Sequence, residues 1–326
     1  MKKISQQWKI AVGTLLGVVL GYGFAAFVVL QHVYAVPPEE RESSSAYSFI
    51  NPLLACGDEY FPRGQNSDLL TLEQRLNDYI VAEKASGTVR DAAIYFREMA
   101  GGFPIVVNAD SAFTPGSLLK VPLVMSIYKK SESVPGFLQQ EILFEDGDAG
   151  ADEYFSSEKI QPGKVYTVEE LVRATLVHSD NNAALLLTQL IDDTELSGAY
   201  SRLGIEKPSF GADYSMPVKV YASFFRILYN STYLDRAESE RLLNYLSEAT
   251  FTRGLRAGVP RGVQVAHKFG ERVTGAGQVQ LHDCGIVYQG KQPYLLCVMM
   301  RGDSYESLAS HIAKVSQLTY EYAASR

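Results

Sequence analysis

The chain has 326 residues, 46% of them hydrophobic and 21% charged, with a formal net charge of −7. This composition excludes a disordered or fibrous protein, and the acidic balance gives no electrostatic footprint for nucleic acid. Three cysteines are too few for a disulfide framework, and with five histidines they show no metal-ligand spacing, so no metal or other cofactor is expected.

In chain order, Lys2, Lys3 and Lys9 precede an uncharged stretch from Ile10 to Pro38, and residues 10–30 are mostly apolar. Such a length spans a bilayer as a helix, and the positive flank stays in the cytoplasm. The expected division is a cytoplasmic terminus at 1–9, a transmembrane anchor or signal at 10–35, a linker at 36–66 and a domain at 67–326. That domain would face the outside of a cell membrane; cleavage after Ala35, giving a secreted form, is the alternative. Leu53-Leu54-Ala55-Cys56 looks like a lipidation box but lies too far past the apolar stretch, and is read as coincidence. Residues 49–54 are apolar enough to dock on the domain.

Leu69, Leu70, Leu72, Leu76, Tyr79 and Ile80 recur at helical spacing. Residues 92–99 and 103–107 read as strands joined by Gly101-Gly102. A helix starts at Ser117, after Pro115-Gly116. Thr167-Val168-Glu169-Glu170 is a capping box opening another. A third is expected over 182–191, with Leu185, Leu186, Leu187 and Leu190 as its buried face, then helices from Pro217 and over 237–249. Strands follow at 264–269, 278–288 and 293–300, and an amphipathic helix at 304–324. Cys284 and Cys297 fall opposite one another if the last two strands pair about Gly290; two buried free thiols are expected there, with a cross-strand disulfide as the alternative. The order predicts an α+β fold: one antiparallel sheet built from both ends of the chain, flanked by helices, with an all-helical insertion between.

A serine and a lysine three residues apart on a helix share a face. The lysine can take the serine's proton if burial or nearby positive charge disfavours its ammonium. Three such pairs occur: Ser117 with Lys120, Ser126 with Lys129 and Ser156 with Lys159. Ser126 lies inside a helix and Ser156 in a charged loop. Only Ser117 follows Pro-Gly at a helix start, where its N–H is free for an oxyanion. Two more signals follow in order. Ser179-Asp180-Asn181 sits between two helices, and Lys268-Phe269-Gly270 is the sole Lys-x-Gly of the chain.

These motifs resemble those of the class A serine β-lactamase and penicillin-binding superfamily over residues 68–324, namely S-x-x-K, S-D-N and K-T-G. Phe113-Thr114-Pro115-Gly116-Ser117, residues 255–260 and Arg301-Gly302-Asp303 add to the likeness. The resemblance implies that Ser117 attacks a lactam or peptide carbonyl and that Lys120 is its base. It implies that Ser179 passes a proton to the leaving nitrogen, that Asn181 and Gly270 help bind substrate, and that Lys268 supplies positive charge. The backbone N–H groups of Ser117 and Glu271 would form the oxyanion hole. The implied partner is a β-lactam or peptidoglycan-type acyl substrate, and a monomer is expected.

Two departures stand out. Phe269 replaces a threonine whose hydroxyl helps bind the substrate carboxylate, which leaves that task to Lys268, Ser179 and Arg272 unless position 269 points away and packs. No Glu-x-x-Leu-Asn lies between Ser179 and Pro217, where the family's water-activating glutamate is found; Glu206 and Asp213 are the carboxylates of the segment 204–216. Slow release of the acyl group is therefore expected. A D,D-peptidase and a catalytically silent envelope protein are the other readings.

Overall fold

Strands with alternate apolar side chains need cover on both faces when both alternations are apolar, and the terminal strands of this chain are of that kind. The computed structural model describes residues 47–51, 67–101, 103–146, 154–155, 158–205, 207, 214–274, 277–290 and 292–326. Helix α1 (Ser67–Ser86) buries Leu72, Leu76 and Ile80, one stripe at the predicted spacing. Strands β1 (Val89–Glu98) and β2 (Ile105–Val107) follow as the expected antiparallel pair.

The middle of the chain folds as an insertion. It comprises β3 (Ala112–Phe113), a 3-10 turn (Gly116–Leu119), α2 (Lys120–Ser131), β4 (Glu141–Phe144), β5 (Lys164–Thr167), α3 (Val168–Val177) and α4 (Asn181–Thr188). It continues with α5 (Asp193–Ser201), β6 (Met216–Pro217), α6 (Val218–Tyr229) and α7 (Arg236–Ser247). The Thr167 capping box forms as predicted. Helix α4 is shorter than expected: Leu187 is buried and Leu186 and Leu190 pack against the core as expected, but Leu185 is exposed, and Ala183 and Ala184 are buried as well. Its N-cap Asp180, rather than the leucine run, fixes its start and hence its face. Helix α5 was missed, although Asp192 and Glu195 form a second capping box.

Strands β7 (Gln264–Val273), β8 (Val279–Tyr288) and β9 (Tyr294–Gly302) complete the sheet before α8 (Tyr305–Ala324). The order is β2-β1-β9-β8-β7, antiparallel throughout, so the two ends of the chain meet where β1 pairs with β9. One face carries Ala93, Tyr95, Ala266, Cys284, Leu295 and Met299 into the core of the helical insertion. The other carries Ile94, Phe96, Phe269, Leu281 and Val298 against residues of α1 and α8. The observed architecture is the α+β arrangement expected.

Cys284 and Cys297 are directly opposite on β8 and β9, and they form a disulfide. The expectation of two free thiols is thereby corrected: the register brings the sulfurs together in a fully buried row. Residues 47–51 pack as part of the unit Tyr47–Arg326. The Glu240 carboxylate accepts the N–H groups of Ser48, Phe49 and Ile50, Tyr288 donates its hydroxyl to the Phe49 carbonyl, and Phe49 and Ile50 are buried. Among the described residues no helix is long and apolar enough to cross a membrane. Residues 10–35, Cys56, Ser156, Glu206 and Asp213 lie outside the described residues.

Candidate active site

Pro115 and Gly116 place Ser117 in a tight turn rather than in a regular helix. Gly116 has a φ of 56°, and a β-carbon there would stand 2.5 Å from the Glu271 carbonyl oxygen. Gly270 is equally constrained, since its β-carbon would stand 2.4 Å from the Pro115 oxygen and 2.8 Å from the Leu118 nitrogen. Only residues without side chains allow the Ser117 turn to lie against β7 this closely. The backbones of Ser117 and Glu271 are thus neighbours, as an oxyanion hole requires. Leu118 donates its N–H to Pro115 at 3.2 Å, and Tyr221 on α6 donates its hydroxyl to the Leu118 carbonyl at 2.9 Å.

Lys120 begins α2 on the same face as Ser117, and both are buried. Its ammonium donates to the Ser179 carbonyl, to Ser179 Oγ at 3.1 Å and to Asn181 Oδ1 at 2.7 Å. These acceptors converge because Ser179 has a φ of 58°, a left-handed residue that ends α3 and turns the chain into α4. Asp180, fully buried, holds the junction: Oδ1 accepts from Asn182 and Ala183, and Oδ2 accepts from Ile160 at 2.6 Å. Thr250 donates both its N–H and its hydroxyl to the Val177 carbonyl near the end of α3, each at 3.0 Å.

Lys268 reaches the same serine from the sheet. It is 1% exposed, whereas a strand lysine on its own would be solvated. Its Nζ donates to Ser179 Oγ at 2.7 Å and to the Phe269 carbonyl at 2.8 Å. Ser179 Oγ therefore accepts from two lysines. Both of its lone pairs are engaged, and its own hydrogen is left for a third group.

The structure brings Ser117, Lys120, Ser179, Asn181, Lys268, Gly270 and the Glu271 backbone together. Arg272 it does not: that side chain is exposed farther along β7 and makes none of the bonds that join the cluster. The decoy Ser126 is inside α2, with its hydroxyl donated to the Pro122 carbonyl. Phe269 points to the α1 and α8 side of the sheet, where it stacks on Phe251 at 4.5 Å, yet its ring also lies 4.2 Å from the Lys268 ammonium. The Glu271 carboxylate accepts the N–H of Tyr154 from the loop before β5.

Several residues that hold the site had no recognisable signal. Tyr221, Thr250, Gln280 and His282 act through bonds to partners far away in the chain. Asp180 lies inside the Ser179-Asp180-Asn181 motif, which by itself assigns roles to Ser179 and Asn181 only.

A model of the beta-lactamase enzyme family matches residues 71–323. The chain is 26% identical to "Beta-lactamase L2" of Stenotrophomonas maltophilia over 262 residues, 74% of this chain and 83% of that protein. Among solved structures it resembles PBP-A in an acyl-enzyme complex with penicillin G, with TM-score 0.65 and 20% identity over 79% of this chain and 98% of that one. It also resembles a beta-lactamase from Chitinophaga pinensis, with TM-score 0.67 and 20% identity over 78% of this chain and 99% of that one.

Proposed function

Since the chain belongs to the beta-lactamase enzyme family and is a serine hydrolase acting on lactam amide bonds, we propose that Ser117 forms an acyl-enzyme of the class A type with β-lactams or related amides, and that the acyl group leaves slowly. One observation carries the reading: two buried lysines from different parts of the fold converge on Ser179 Oγ, with Ser117 one helical turn from Lys120.

In the proposed reaction Lys120 first loses one of its three hydrogens, and with it one of its three donated bonds; its freed lone pair then takes the Ser117 proton as Oγ attacks the carbonyl carbon. The negative charge formed on the carbonyl oxygen is met by the N–H groups of Ser117 and Glu271. The carbon–nitrogen bond then breaks, and Ser179 passes its hydrogen to the departing nitrogen while a lysine ammonium replaces it. The order of lone pairs around Ser179 supports this step, because its hydrogen is the one not directed at a lysine. Lys268 supplies positive charge at the same point.

Slow release is supported by the short connection from Ser179 to Pro217, which lacks Glu-x-x-Leu-Asn. The sequence spells that pattern elsewhere, from Glu73 in α1 and from Glu240 in α7, and the Glu240 carboxylate is taken up by residues 48–50. The same observation favours a second reading, a peptidoglycan D,D-peptidase, which also acylates its serine. The basic, then apolar, N-terminal residues 1–35 support a domain tethered outside a membrane.

The test is mass spectrometry after penicillin treatment. Wild type should carry one adduct on Ser117 that outlasts removal of free penicillin, and Ser117→Ala should carry none. An adduct on any other residue overturns the nucleophile assignment. Fast repeated turnover of a chromogenic cephalosporin overturns slow release.

A further inference from the structure

We propose that Gln280 and His282 on β8 are positioning residues that set Ser117 against its backbone donors by gripping Thr114, three residues before it. Gln280 Oε1 accepts the Thr114 N–H at 3.1 Å. His282 Nε2 donates to the Thr114 carbonyl at 3.0 Å, while its Nδ1 accepts the Met300 N–H at 3.3 Å. The second bond fixes the proton on Nε2 and so fixes which nitrogen can reach Thr114. Both side chains lie on one face of β8, two residues apart, and they are 2% and 0% exposed.

A residue held by both its N–H and its C=O has the peptide planes on either side fixed. Pro115 follows with its φ locked by its ring, and Gly116 then lies against the Glu271 backbone. His282 is paired in register with Gly270, which itself touches Pro115 and Leu118. The turn that carries Ser117 is therefore fastened to the same sheet twice, by β8 before the serine and by β7 beside it. Releasing the first fastening lets the Ser117 oxygen and N–H drift relative to Glu271. The hydrogen bonds of the two side chains go to Thr114 and Met300 rather than to the lysines or Ser179, so substrate binding should be spared while the chemical step is slowed.

This inference rests on the acyl-enzyme reading. The test measures the rate of labelling of the full-length chain by a fluorescent penicillin, as a function of concentration. Gln280→Leu and His282→Phe remove the grips with similar volume. Each should slow acylation ~10- to 100-fold, with half-saturation changed less than about threefold. Because both act through Thr114, the double variant should be slower than the worse single variant by no more than about threefold. Gln280→Glu keeps an acceptor and should bring the rate back to within about fivefold of wild type.

Unchanged acylation in folded Gln280→Leu overturns the proposal, as do losses that multiply or a loss confined to half-saturation. Near-ultraviolet circular dichroism reports folding. If His282→Phe does not fold, the contrast of Gln280→Leu with Gln280→Glu decides. Wild type left as unlabelled as Ser117→Ala overturns the acyl-enzyme reading and the grip with it.

Discussion

The Phe269 ring has two neighbours that want different things from it, the Lys268 ammonium at 4.2 Å and the Phe251 ring stacked at 4.5 Å. A ring face attracts a cation, worth about 1 kcal/mol in such contacts, but it offers no hydrogen bond to a substrate carboxylate. The larger commitment is to packing, since Phe269 is buried among Phe251, Leu255 and Leu281. Phe269→Thr, which restores the family's hydroxyl, should therefore cost about 3 kcal/mol of stability, read as a lowered urea midpoint. A cost below about 1 kcal/mol would show that the ring is not a core residue. His282 makes a second prediction. Burial, opposed by its bond to the Thr114 carbonyl and aided by the Arg301 charge, lowers its pKa to about 4. The unfolded chain then binds a proton that the fold does not between pH 6.5 and 4. Stability is complete above that window and falls as pH drops through it; in His282→Phe the acid slope should flatten. The candidate site residues were legible because serine–lysine spacing and the three motifs are local. The grips on Thr114 were not, because their partners lie 166 and 168 residues away.

Helix α3 brings Ser179 into place, and its N-terminus is fixed by reciprocal bonds: Thr167 donates its N–H to Glu170 Oε2 at 2.7 Å and accepts the Glu170 N–H at 3.2 Å. Thr167→Ala should cost about 1 kcal/mol, measured by chemical denaturation. The Thr167 N–H and hydroxyl also hold the Glu170 carboxyl below its usual range. Its contribution is thus present above the ordinary carboxylate pKa and is lost as pH falls through the depressed value. Across β7, β8 and β9 a single row aligns Lys268, Cys284 and Cys297, so the disulfide stiffens the strands directly beside the lysine. Long elements with a full apolar stripe or a cap were readable from the residues alone. The pairs β3–β6 and β4–β5 are two to four residues long, too short for any period to show. Leu185 of α4 departs from expectation because three consecutive leucines cannot share one helix face, and the Asp180 cap sets which of them turns outward.

At the scale of the molecule, the sheet joins the first and last strands of the described domain, and a further stretch, residues 47–51, is fastened on by the Glu240 carboxylate, by the Tyr288 hydroxyl and by bonds from Asn51 to Tyr229 and Asn230. Glu240→Ala should release it: with three N–H groups losing a charged acceptor, the amides of Phe49 and Ile50 should exchange with solvent at least ~30-fold faster, about 2 kcal/mol of local opening. Equal exchange rates in the two proteins would mean that the burial of Phe49 and Ile50 and the bonds to Tyr288, Tyr229 and Asn230 hold the segment without the carboxylate. Glu240 stands on α7 and Tyr288 at the end of β8, so residues 47–51 are tied to the helical insertion and to the sheet at once, and their exchange reports on the seam between the two.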